Sequence, residues 1–124
     1  MALVLIIEDE ADIRSLYRRV LEHAGYQVVE APDGDVGIAF YRERHPDLVI
    51  TDIIMPEKEG IETIMELRRD FPEVKIIAIS GGGQAMDPTA YLQLAKGLGA
   101  AMTLAKPFSK QELLDAVHEV LQRV

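Results

Sequence analysis

Five short apolar runs, each followed by a stretch of helical periodicity or a helix signal, leave this chain few folds to adopt. The runs are Leu3–Ile7, Gln27–Glu30 with Tyr26 beside it, Leu48–Ile50 leading into Thr51 and Asp52, Val74–Ile79, and Ala101–Ala105. They are short and aliphatic or β-branched, as strands covered on both faces are. Ile13, Leu16, Val20 and Leu21 mark a first helix, closing at Ala24-Gly25. A second starts near Asp33-Gly34 and stops before His45-Pro46, because a residue preceding proline avoids the helical region. Ile61, Ile64, Met65 and Leu67 mark a third, ended by Phe71-Pro72. The fourth takes Asp87 as N-cap and Pro88 as first helical residue, with Tyr91, Ala95 and Leu98 on one face. The last opens on the capping-box pattern Ser109-Lys110-Gln111-Glu112 and carries Leu113, Leu114, Val117, Val120 and Leu121. Strict alternation predicts an α/β fold of (βα)5 order, a doubly wound parallel five-stranded sheet with helices on both faces.

The 124 residues suit one domain, expected over 1–124, large enough to bury a core without staples. The absence of cysteine excludes disulfides, thiolate metal sites and a thiol nucleophile. A net charge of −8 argues against a sequence-independent nucleic-acid binder and suits a protein that gathers cations or docks on basic partners. The longest apolar run, Met1–Ile7, ends at Glu8-Asp9-Glu10 and is too short to span a membrane. The expectation is a cytoplasmic protein without membrane insertion.

In an open α/β sheet, ligands gather at the carboxyl ends of the strands. Here the strands end on Glu8-Asp9, on Asp52, on Ser80 and on Lys106-Pro107. Carboxylates brought together repel unless a cation shares them. With neither imidazole nor thiolate in the set, the donors select Mg²⁺, with Mn²⁺ as a substitute, over zinc. A carboxylate beside such a metal can attack phosphorus and form an acyl phosphate. Lys106 and Ser80 are then suited to contact the transferring oxygens.

At these residues the whole chain resembles the response-regulator receivers of two-component systems. The matching pieces are the acidic pair in LIIEDE, the acceptor in LVITDIIMP followed by Gly60, the hydroxyl in IIAIS and the lysine in LAKPF. The resemblance implies a flavodoxin-like sheet of order 2-1-3-4-5. It implies Asp52 as phosphoacceptor and metal ligand, Asp9 as direct metal ligand, Glu8 as ligand through water and the carbonyl of Ile54 as a further ligand. Ser80 and Lys106 would contact the phosphoryl group, and the Lys106-Pro107 peptide would be cis. The partners implied are a sensor histidine kinase or histidine phosphotransfer protein and a downstream protein target. The domain would be a monomer or a phosphorylation-dependent dimer, and no enzyme beyond its own phosphorylation and slow dephosphorylation.

Three departures qualify this. Glu8 stands where aspartate is commoner, and Thr103 holds the place of a frequent aromatic switch. The segment from Ser80 to Lys106, containing Gly81-Gly82-Gly83, is long. Readout is therefore expected in the loop after strand four, helix four, strand five and helix five, with slowed amide exchange over residues 81–92 on phosphorylation. Neither Ile54 nor Gly82 can orient a hydrolytic water through its side chain, so a phosphate lifetime of minutes or longer is expected.

Competing readings fare worse. A phosphatase with an aspartyl nucleophile generally needs a second acid two residues on, where this chain has Ile54. A flavin or nucleotide binder would want donors after strand one, where Glu8-Asp9-Glu10 repels phosphate. A receiver that binds partners without phosphorylation would not need Asp52, Ser80 and Lys106 together. His23, His45 and His118 are scattered and read as surface or boundary residues.

Overall fold

A computed structural model describes residues 1–53, 60–80, 93 and 95–123. Strands β1 (Leu3–Ile7), β2 (Gln27–Ala31), β3 (Leu48–Asp52), β4 (Ile76–Ser80) and β5 (Met102–Ala105) form one parallel sheet in the order β2-β1-β3-β4-β5. Between them run α1 (Ala11–His23), α2 (Gly34–Arg44), α3 (Gly60–Asp70) and α4, whose described helical residues include 95–97; α5 (Lys110–Gln122) closes the chain. The doubly wound sheet and its strand order are those expected.

Strand alternation divides the core into two layers. Leu5, Ile7, Val49, Ile76 and Ala78 pack with Ile38 and Tyr41 of α2 and with Ile64 and Leu67 of α3. Val4, Ile6, Ile50, Ile77 and Ile79 pack on the other side with Tyr17 and Leu21 of α1 and Leu113, Val117 and Val120 of α5. Each fully buried Leu or Ile contributes roughly 1.5–3 kcal/mol, so the three inner strands anchor the fold.

Local chemistry sets most helix ends where the sequence places them. Asp33 caps α2 by accepting the Val36 N–H at 2.9 Å. Ser109 and Glu112 form the expected reciprocal box, at 3.0 and 2.9 Å. The stop of α2 before Pro46 is also as expected. His45 takes a left-handed conformation (φ 49°, ψ 64°) and not an extended one, and its N–H reaches back to the Tyr41 carbonyl at 2.8 Å.

Other expectations need correction. β4 begins at Ile76, because the Val74 N–H is taken by the Phe71 carbonyl in the preceding turn (3.0 Å). β2 extends to Ala31 and β5 starts at Met102. Both lie at sheet edges and are only partly covered, so burial on both faces holds for β1, β3 and β4. Leu16 and Met65 are about half exposed, at 50% and 52%, because the periodic stripe of each helix is wider than the face the sheet covers. The expected cap at Asp87-Pro88, and Tyr91, lie outside the described residues.

Candidate phosphoacceptor site

Strand register brings the site together. Ile7 pairs with Thr51, so Glu8 emerges beside Asp52; Asp52 pairs with Ile79, and Ser80 with Ala105, which puts Lys106 just past Ser80. The Lys106 N–H donates to the Ser80 carbonyl at 2.8 Å, and the Lys106-Pro107 peptide is cis, as expected. Lys106 Nζ then lies 3.2 Å from Asp52 Oδ2 and 3.9 Å from Glu8 Oε1.

Three of these polar residues are buried: Glu8 at 2% exposure, Asp52 at 8% and Ser80 at 0%. Two of their atoms, Glu8 Oε1 and Ser80 Oγ, have no hydrogen-bond partner among the described residues. Buried polar atoms are normally satisfied, and leaving one unpaired costs about 1–3 kcal/mol. Burial pushes the Glu8 carboxyl up to about 8; the Glu10 N–H on Oε2 (3.0 Å) opposes this, while Asp9 and Asp52 reinforce it. Two buried acids thus face one partly exposed lysine, and two buried oxygens there lack hydrogen-bond partners among the described residues.

Gly60, at the start of α3, is part of this geometry. A Cβ there would collide with the Asp52 carbonyl oxygen and stand 2.6 Å from the Ile53 Cα, while the Gly60 N–H bonds the Ile53 carbonyl at 2.6 Å. Only glycine lets the helix start so close to the end of β3.

Among the residues expected at the site, Glu8, Asp52, Ser80 and Lys106 are brought together. Asp9 is exposed at the mouth, and Ile54 lies outside the described residues, as do Gly81–Gly83. Among the described residues no three His, Cys, Asp or Glu side chains stand as a ready-made metal cage. Thr103 is half-buried on the edge strand, paired with Ala78. The three histidines are exposed, as read from the sequence.

Two residues escaped the sequence reading. Arg14 ties the Glu8 carbonyl (2.7 Å) to the Glu30 carboxylate (2.9 Å), fixing the backbone where the acidic pair begins. Tyr17 is buried beneath the site and packs on Phe108, with ring centroids 5.7 Å apart. The spacing of Ile13, Tyr17 and Leu21, four residues apart, was the available signal for the second.

Comparisons with known proteins agree with this geometry. Residues 4–118 match the model of the response regulator receiver domain. The chain is 36% identical over 121 residues to a protein of Porphyridium aerugineum named "Probable transcriptional regulator ycf27", covering 98% of this chain and 48% of that one. It is 36% identical over 118 residues to the chemotaxis protein CheY of Thermotoga maritima, covering 94% and 95%. It thus spans about half the length of the regulators named ycf27 and nearly all of the chemotaxis protein. A response regulator receiver structure from Clostridium thermocellum superposes with a TM-score of 0.91 at 30% identity, covering 99% of this chain and 96% of that one. The receiver domain of NtrX from Brucella abortus does so at 0.90 and 28%, covering 98% and 99%. With the match spanning most of the chain and the acidic, hydroxyl and lysine groups at the matching strand ends, this protein belongs to the response regulator receiver domain family of two-component systems.

Proposed function

We propose that Asp52 accepts a phosphoryl group from a phosphohistidine on a sensor kinase or phosphotransfer protein. The observation that carries this is the convergence of a buried Asp52, a lysine 3.2 Å from it, and two buried oxygens, Glu8 Oε1 and Ser80 Oγ, without hydrogen-bond partners among the described residues. In the transfer an Asp52 oxygen forms the new bond to phosphorus as the P–N bond breaks, and the imidazole leaves and takes up a proton. Lys106 moves from the carboxylate to a phosphoryl oxygen, and Ser80 Oγ donates to another. That gives the orphaned hydroxyl its partner in the phosphorylated state.

The same donor set fits a hard divalent cation. Glu8 and Asp52 supply buried oxygen, Asp9 stands at the mouth, and the Ile54 carbonyl is the fourth ligand implied by the family. Bound there, Mg²⁺ would offset the phosphoryl charge, with Mn²⁺ as a substitute. The domain catalyses only its own phosphorylation and slow dephosphorylation. Its readout is a population shift through the loop after β4, α4, β5 and α5, towards a downstream protein in the cytoplasm.

Incubation with Mg²⁺ and acetyl phosphate, followed by intact-mass measurement, tests the proposal. One added phosphoryl group, dependent on metal and absent from Asp52→Asn, is expected. No gain with either metal would leave a receiver fold that binds partners without phosphorylation.

A further inference from the structure

The loop that carries Lys106 is held at three points. Its backbone bonds β4 through the Lys106 N–H and the Ser80 carbonyl, and Ser109 caps α5 through the Glu112 N–H (3.0 Å). Between these, Phe108 lies against the ring of Tyr17, inclined at 32° to it. Tyr17 is 7% exposed and belongs to the core layer that includes Ile50 and Ile79, residues of the strands bearing Asp52 and Ser80.

Tyr17 also feels the charge of the acidic groups. Burial raises its hydroxyl pKa, and the carboxylates of Glu8, Asp52 and Glu10 raise it further, which puts the polar end of the ring within the field of the acidic pocket. The residue therefore links three things: the helix that follows the acidic pair, the loop that carries the lysine, and the acceptor pocket.

We infer that Tyr17 is a positioning residue for phosphoryl transfer, its ring serving as the seat on which Phe108 fixes the Lys106 loop so that the ammonium stands over Asp52. The inference rests on the proposed phosphoacceptor role of Asp52. Lys106 is held to Asp52 at 3.2 Å although its side chain is 27% exposed. A long cation at the edge of solvent keeps such a place only if the backbone beneath it is fixed. Removing the ring would loosen the loop, lengthen the mean distance from Lys106 to the transferring oxygens and slow the reaction without touching the acceptor.

The test is a double-mutant cycle between Tyr17 and Lys106, read as the rate of phosphorylation by acetyl phosphate with saturating Mg²⁺. Tyr17→Leu is expected to slow the reaction roughly tenfold in the otherwise native protein and to make little further difference in a Lys106→Ala background. Tyr17→Phe, which keeps the ring, should recover most of the rate. A purely structural role would slow both backgrounds alike, and that additivity would overturn the inference, as would an unaltered rate in Tyr17→Leu. If Tyr17→Leu does not fold, Phe108→Leu removes the contact from the other side and must show the same dependence on Lys106. Failure of the native protein itself to gain a phosphoryl group would count against the acceptor reading instead, so the two failures are distinct.

Discussion

The two ends of the sheet are built on opposite principles. At the amino-terminal rim the polar groups are paired. Leu3 and Asp47 exchange bonds at 2.8 Å in both directions, Lys75 donates to the Arg123 carbonyl at 2.6 Å, and Arg123 donates to the Ala101 carbonyl at 2.7 Å. Tyr41, His45 and Phe71 stack against one another there, with Arg42 over the Phe71 ring. A cleft of about 540 Å³ opens at this end, lined by Tyr41, His45, Asp47, Glu73 and Lys75 among others. The carboxyl rim has buried acids, and Glu8 Oε1 and Ser80 Oγ there lack hydrogen-bond partners among the described residues. The size of a cleft therefore does not locate the chemistry in this molecule. Unsatisfied buried polarity marks the proposed site instead, because a group kept out of water without a partner is poised to gain one.

Substitutions should separate the two ends. Asp52→Asn is expected to abolish phosphoryl gain entirely while the melting temperature holds or rises, since one of two crowded buried acids loses its charge. A large drop in melting temperature would mean that Asp52 is a stabilising partner of Lys106 first and an acceptor second. Tyr41→Ala, at the opposite rim, should cost about 3–4 kcal/mol in urea denaturation, because a buried aromatic is lost. The phosphorylation rate of the folded protein should not change.

The acidic rim also predicts a pH dependence. The Glu8 carboxyl is raised from an ordinary 4.5 to about 8 in the folded chain. A carboxyl that holds its proton more tightly when folded contributes stability fully present below pH 4.5, which is lost as pH rises through about 8. Without metal, the melting temperature should thus fall across that window, and Glu8→Gln should flatten the fall. A native curve that rises with pH there would show that Glu8 is ionised and fully compensated. The smallest effect is expected at the Arg42–Asp70 pair (3.3 Å, Arg42 57% exposed), where Arg42→Ala should barely shift the melting temperature even with its contact to Phe71 lost.

How much of this was legible depends on the residue. Asp33, Ser109 and Glu112 act on backbone groups a few positions away, so their caps could be read from the chain alone. The acids, hydroxyl and lysine at the strand ends were legible because a parallel sheet collects such ends on one rim. The helix stripes were legible in period but not in phase. Leu16 and Tyr17 fit α1 equally well, and only packing against the sheet and Phe108 buried Tyr17 and left Leu16 half exposed. Val74 looked like strand by side chain, yet its N–H was committed to the turn at Phe71.

By itself, then, the sequence determined the alternation of strands and helices, most of their ends and the set of reactive groups, since these follow from local propensity and chain order. The strand order was an implication of resemblance that the fold then bore out. Only the tertiary structure decided which buried atoms lack hydrogen-bond partners among the described residues, that α3 starts on Gly60 against the Asp52 carbonyl, and that Tyr17 packs on Phe108 in the loop that carries Lys106. The Tyr17–Phe108 contact joins segments tens of residues apart, and the Gly60 approach depends on how the chain returns past Asp52; no local pattern records where such segments meet.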